Sequence, residues 1–99
     1  MKRYSIIHDL GEKTCFVCGA MRDIHIHEVF FGYGGNRDKS IEYGLCVCLC
    51  ARHHNASNEG VHLNRVLDLK LKKHAQKIAM ENYGWEVEDF IKIFGKNYL

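Results

Sequence analysis

The 99-residue sequence has no long hydrophobic run, no proline and little net charge. No stretch approaches the roughly 18 consecutive apolar residues of a membrane span, so none is predicted. The N-terminus, MKRYSIIHD, lacks the apolar core of a signal peptide. We therefore predict a cytoplasmic protein whose five cysteines stay reduced, which favours metal binding over disulfides. The net charge of +2 does not exclude nucleic-acid binding, because local clustering of charge matters more than the sum.

The length and composition predict one small domain with a modest core. The chain is 46% hydrophobic and 26% charged, which is typical of a folded, soluble protein. A chain this short often needs a further source of stability, and a structural metal ion would provide it.

Two short ligand pairs suggest where such an ion would bind. Cys15 and Cys18 are separated by two residues, and Cys50 and His53 repeat that spacing further along. Two such pairs can form one tetrahedral zinc site, so we predict zinc at these four residues. His54 in place of His53 is the main alternative for the fourth ligand.

The two remaining cysteines, Cys46 and Cys48, alternate with apolar residues. We interpret them as small buried residues, because free cysteine packs as a hydrophobe. A redox switch built on the cysteines is a further hypothesis, and the paired ligand spacing makes it the weakest one.

The chain around these pairs predicts an α+β arrangement. Alternation over residues 24–31 indicates a strand with His25 and His27 on one face and Glu28 on the other. We interpret His25 as an exposed strand residue. A glycine-rich, polar loop is expected over residues 32–40 and a second strand over 43–49. A helix should then begin near Cys50 or Ala51 and end near Ser57.

Two C-terminal helices are predicted over residues 63–82 and 85–94, each with an apolar stripe and each followed by a glycine. We expect them to cover the centre of the domain, which would comprise residues 14–62, with residues 63–99 as a helical cover.

These elements together resemble the HNH endonuclease family, and most closely its small prophage-encoded members. The resemblance is specific over residues 14–62 and weaker toward the C-terminus. The matching segments are Cys15-x-x-Cys18, His27-Glu28-Val29-Phe30, Gly34-Gly35-Asn36-Arg37, Ser40, Tyr43-Gly44-Leu45 and Leu49-Cys50-x-x-His53-His54. The resemblance implies a ββα-metal fold, in which a two-stranded hairpin packs on a helix and a divalent ion lies between them.

The resemblance also implies an activity, the hydrolysis of phosphodiester bonds in DNA with one metal ion. His27 would be the general base, His54 would bind the ion, and Arg37 would contact phosphate. His62 could approach the same ion. The ion would be Mg²⁺, Mn²⁺ or Ni²⁺, and imidazole suits the last two at least as well as Mg²⁺.

The chain departs from the family at two positions. Relatives usually carry two successive ligand-type residues at the end of the first strand, where this chain has His27 and Glu28. Either His27 is the base, or His27 binds the ion and Glu28 replaces the base. Gly44 stands where many relatives have asparagine.

The main rival to a nuclease is a catalytically inactive, zinc-stabilised module that binds nucleic acid or protein. The sequence is also compatible with a protein partner or a homodimer. The resemblance implies expression from a phage or prophage inside a bacterial host.

Overall fold

Two antiparallel strands form the centre of the structure. A computed structural model describes residues 3–56 and 60–99 of the chain. Strand β1 spans Ile24–Glu28 and strand β2 spans Cys46–Cys50. Their register places His27 opposite Val47. All five residues of β2 are buried, so this strand is covered on both faces.

The remaining elements follow in a simple order. Helix α1 spans Asn36–Glu42 between the strands, and a π-helical turn spans Arg52–Ala56 after β2. Helix α2 spans Arg65–Tyr83 and helix α3 spans Val87–Phe94. The chain is thus a small α+β domain with a two-stranded sheet and helices, as predicted. No helix in the described part of the chain is both long and apolar enough to span a membrane.

The segment between the strands is not the open loop that we expected. A 3-10 turn over Tyr33–Gly35 leads into α1, and Gly34 and Gly35 both have left-handed φ values. Of the polar residues that suggested a loop, Arg37 and Asp38 are exposed, whereas Asn36 and Lys39 are half-buried and bond to the end of α3. Asn36 Nδ2 donates to Phe94 O at 3.1 Å, and Lys39 Nζ donates to Ile93 O at 2.6 Å. These bonds to the end of α3 stabilise a helix that the local sequence does not predict.

The helix expected after β2 is a single π-helical turn, and its expected end at Ser57 lies outside the described residues. The second strand is also shorter than the predicted 43–49, because Gly44 turns the chain with a φ of 71°. The ring of Tyr4 packs over Gly44, and a Cβ there would lie 2.4 Å from Tyr4 Cε2. A side chain at position 44 would therefore collide with the Tyr4 ring, so this contact requires glycine.

The N-terminal residues 4–7 lie alongside the start of β2 without forming a strand. Ile6 N donates to Gly44 O at 2.9 Å, and Ser5 Oγ donates to Cys46 O at 2.6 Å.

The two C-terminal helices cover the core as predicted, but α2 uses a different face. Leu63, expected in its stripe, precedes the helix and is 63% exposed. The buried positions of α2 include polar side chains that pair within the chain. Gln76 Nε2 donates to Asn97 Oδ1 at 2.8 Å, and Lys72 Nζ donates to Asp68 Oδ2 at 2.8 Å. A hydrophobicity pattern does not register such residues, because their burial depends on partners elsewhere in the chain.

The core itself lies under the sheet, where Phe30 packs against Phe90 and Phe94 with ring centroids 5.2 and 4.7 Å away. Phe30 follows β1 directly, and its backbone is held by α1. Ser40 Oγ accepts from Phe30 N at 3.0 Å and donates to Phe30 O at 2.7 Å. One fully buried hydroxyl therefore joins β1, α1 and the aromatic core.

We predict that Ser40→Ala lowers the free energy of unfolding by about 2–3 kcal/mol, because it leaves a buried N–H and a buried carbonyl without a partner. Urea denaturation, followed by circular dichroism and by the fluorescence of Trp85, measures this. Asp38→Ala, an exposed change on the same helix, should cost less than about 0.5 kcal/mol. Equal losses in the two variants would contradict the role given to Ser40.

Candidate functional site

Four side chains from two distant segments converge at one end of the sheet. One ligand atom from each lies within 4.8 Å of all the others, and these atoms could hold a metal ion. The residues are Cys15, Cys18, Cys50 and His53, the four predicted from their spacing. His54 does not belong to this cluster.

The separations between the ligand atoms fit one tetrahedral ion. Two thiolates at ~2.3 Å from a tetrahedral zinc lie about 3.8 Å apart, and a thiolate and an imidazole about 3.5 Å. Cys18 Sγ and Cys50 Sγ are 3.8 Å apart. His53 Nδ1 lies 3.4 Å from Cys50 Sγ and 3.8 Å from Cys15 Sγ. The donor set and its dimensions therefore match a closed, four-coordinate site.

Local backbone bonds build the first ligand pair and attach it to the sheet. Cys15 N donates to Ala20 O, and Gly19 N donates to Cys15 O, both at 2.8 Å. Gly19 supports this turn with a φ of 75°, as expected from the sequence. Phe16 N donates to Cys48 O at 2.7 Å, which fixes the turn beside the end of β2.

Cys15 of the cluster differs in character from Cys46 and Cys48, the two cysteines outside the cluster. Burial raises the pKa of the Cys15 thiol, but backbone hydrogen bonds from Cys50, Cys18 and Val17 outweigh burial and lower that pKa to about 6. A thiol that ionises readily is a ready metal ligand. Burial instead raises the pKa of Cys46 to about 12. Cys46 and Cys48 are almost wholly buried, which agrees with their interpretation as packing residues.

A second cluster consists of three histidines, His27, His54 and His62. One ring nitrogen of each lies within 4.8 Å of the other two, so this group too could hold a metal ion. His54 Nε2 and His62 Nε2 are 3.2 Å apart. Two imidazole nitrogens at ~2.1 Å from one ion would lie about 3.0–3.4 Å apart, so this separation suits a shared ion.

Three different elements bring these histidines together. His27 comes from β1, His54 from the π-helical turn, and His62 from the chain that returns along that turn. Val61 N donates to His53 O at 2.9 Å, and His62 N donates to His54 O at 3.3 Å. Gly60 lies against the backbone of His54, where a Cβ would be 2.9 Å from the carbonyl group. This close approach places His62 beside His54.

The protonation state of the histidine cluster also suits a metal. Burial, and then the nearby His54 and His62, lower the pKa of His27 to about 3. Burial foremost lowers the pKa of His54 as well. His27 Nε2 is buried and has no hydrogen-bond partner. A bound metal ion would supply a partner for this buried nitrogen of a neutral imidazole.

The histidine cluster opens into a cleft of about 390 Å³. The cleft is also lined by Glu28, Arg37 and Phe31, so a guanidinium lies beside the histidines. The Arg37 side chain is 68% exposed. It is therefore accessible to an anionic ligand that enters the cleft.

Glu28 lies next to the cluster but is already paired. Its Oε1 accepts from Arg3 Nη2 at 2.9 Å and from Arg37 Nε at 3.4 Å. Burial would raise the pKa of this carboxyl, but the bond from Arg3 and the charge of Arg37 outweigh burial and lower it. A carboxylate stabilised in this way is a poor proton acceptor.

Two residues at this site were not identified from the sequence. His25 was interpreted as an exposed strand residue; it is exposed, yet its Nδ1 lies 3.0 Å from His54 Nδ1. The signal was available, because His25 and His27 share a strand face. Arg3 lies in a segment without any motif, and nothing in its neighbourhood predicts an ion pair with Glu28.

No protein family, curated protein or solved structure matches the chain. The site is therefore interpreted from its own geometry.

We predict that metal binding protects the thiols of Cys15, Cys18 and Cys50 from a thiol reagent. A strong chelator should expose these three thiols. Cys46 should stay unreactive until the protein unfolds, because burial raises its pKa. A colorimetric thiol count with and without chelator, beside metal analysis of dialysed protein, measures this.

Cys18→Ser should abolish the tightly bound ion, and Cys48→Ala, the control, should retain it. Five equally reactive thiols before chelation would contradict a metal site.

Proposed function

We propose that this protein is a metal-dependent DNA endonuclease with a structural zinc site and a separate catalytic ion. The observation that carries the proposal is the three-histidine cluster in an open cleft beside Arg37. A zinc-stabilised module needs only the four-ligand cluster. The second cluster adds an accessible metal position next to a cation, which is a suitable arrangement for a phosphodiester.

The order of elements supports an HNH-type assignment. A strand carrying His27, a connecting segment carrying Arg37, a second strand and a helical turn carrying His54 occur in the order that the resemblance implies. The helical part described after β2 is the π-helical turn over Arg52–Ala56. The assignment to the ββα-metal fold is part of the proposal.

The two clusters suit different ions. Three thiolates and one imidazole form a closed set for zinc, and such sites stabilise folding. Three imidazoles leave coordination positions free and suit Mn²⁺, Ni²⁺ or Zn²⁺ better than Mg²⁺. An ion bound there would supply a Lewis acid and an activated water. Arg37 would bind and orient the phosphate.

Of the two roles considered for His27, the geometry favours metal ligand over general base. One of its ring nitrogens lies within 4.8 Å of a nitrogen of each of the other two histidines, and its Nε2 is buried without a hydrogen-bond partner. The same geometry does not favour Glu28 as the replacement base, because Arg3 and Arg37 hold its carboxylate. We infer that Glu28 positions Arg37 at the cleft.

We predict metal-dependent nicking of supercoiled plasmid by zinc-loaded protein with Mn²⁺ or Ni²⁺, and more slowly with Mg²⁺. His27→Ala and His54→Ala should each reduce the rate roughly 100-fold or more, because each removes a ligand of the catalytic ion. His74→Ala, an exposed histidine outside both clusters, should cut at the normal rate. If folded, zinc-loaded protein does not nick the plasmid with any metal, the proposal that it is an endonuclease is wrong.

We predict that Glu28→Gln retains kcat within about tenfold, because its carboxylate is paired and is not the base. KM for DNA should rise instead, since Arg37 loses the carboxylate that holds it. Steady-state nicking kinetics separate the two parameters. A loss of kcat as deep as that of His54→Ala, in a variant with both ions bound, would show that Glu28 is the base.

The second candidate function is a zinc-stabilised module that binds nucleic acid or protein without cleaving. The observation that favours it is the pairing of Glu28 with two arginines at the position where relatives carry a catalytic histidine. This alternative would be supported if the protein bound DNA in a salt-dependent way and did not nick it in the presence of any of the metals.

A further inference from the structure

The two ring nitrogens of His54 have different neighbours. Its Nε2 faces His62 Nε2 at 3.2 Å, on the side of the histidine cluster. Its Nδ1 faces His25 Nδ1 at 3.0 Å, on the opposite edge of the ring. The two rings meet edge to face, with centroids 5.2 Å apart and planes at 86°. His54 is therefore held between a ligand position and a second imidazole.

We propose that His25 is a positioning residue for the metal site, and that it fixes the tautomer and orientation of His54. A neutral imidazole that binds an ion through Nε2 must carry its proton on Nδ1. That N–H then donates to His25 Nδ1, which accepts with its lone pair. Partners of this kind orient metal-binding histidines and raise their basicity.

His25 does not share the ion itself. Its near nitrogen lies against His54 Nδ1, and the nitrogen of His54 that faces the ion position is Nε2. His25 is not among the three residues whose ligand atoms converge. Its ring is exposed, so core packing does not require a histidine here. Within residues 3–56 and 60–99, the hydrogen-bonding contact of its ring nitrogen is the one with His54.

Strand geometry explains why the two histidines of β1 have different roles at the site. His25 and His27 are two residues apart and lie on the same face. Both rings approach His54, with centroids 5.2 and 5.3 Å away. His27 is buried and offers its nitrogen to the cluster, whereas His25 lies nearer the solvent and meets the outer edge of the His54 ring.

This inference rests on the ion site of the proposed function but not on DNA cleavage, so binding is the readout. Protein that already holds zinc in the cluster of three cysteines and one histidine would be titrated with a second equivalent of Zn²⁺ in a calorimeter. The variants are His25→Leu and His25→Asn. The two side chains have the same shape, but only asparagine places an acceptor oxygen near the former Nδ1. His74→Leu serves as the control for losing an exposed histidine.

We expect His25→Leu to weaken binding of the second ion about 10–100-fold. His25→Asn should recover most of that loss, and His74→Leu should bind like the unmodified protein. Nitrogen-15 NMR of the loaded protein should show His54 protonated at Nδ1 and His25 protonated at Nε2. A purely structural role for His25 would not produce this pair of tautomers.

Several results would overturn the inference. They are unchanged affinity in His25→Leu, an asparagine variant as weak as the leucine variant, or His54 protonated at Nε2 in the loaded protein. Failure of the unmodified protein to bind a second ion would overturn this inference together with the catalytic ion site. His25-dependent ion binding by a protein that leaves plasmid intact would support the inference and overturn only the nuclease.

Discussion

The structure depends on one geometric constraint, the divergence of two neighbouring side chains in the turn after β2. Adjacent residues of a helical turn point in different directions, so His53 and His54 cannot reach the same ion. His53 joins the cysteines, and His54 joins the histidines. Gly60 packs against the backbone of this turn and His62 N donates to His54 O, so the position of the turn also fixes the position of His62. Tethering the turn at Cys50 and His53 therefore also sets the geometry of the open cleft.

The two clusters differ in their ligands and surroundings, and therefore in the chemistry that each could support. The cysteine-rich cluster has four protein ligands and backbone donors around a sulfur, so it is self-contained. The histidine cluster has three ligands, an accessible cleft and a neighbouring cation. A closed site stabilises, whereas an open site leaves room for a substrate. The first would hold the turn so that the second keeps its spacing when a ligand enters.

The sequence predicted the parts of the molecule that depend on local spacing. The paired ligands, the shared face of His25 and His27, and the buried Cys46 and Cys48 all follow from short-range patterns. It failed where distant partners decide. Helix α1 owes its position to bonds with the end of α3, and α2 buries Gln76 because the C-terminal segment satisfies it. Arg3 reaches Glu28 across 25 residues, and no local pattern encodes such a contact.

The end of β1 shows how such a contact changes the interpretation of a motif. Two residues that can bind metal or accept a proton, His27 and Glu28, follow one another at the end of β1. The strand turns their side chains to opposite faces, so they serve different networks. His27 faces His54, and Glu28 faces two arginines. His25 faces the same side as His27 and adds a second imidazole to the metal side. Together with His54 and His62, the histidine side of the strand could therefore form an ion site, while Glu28 pairs with the arginines beside the cleft.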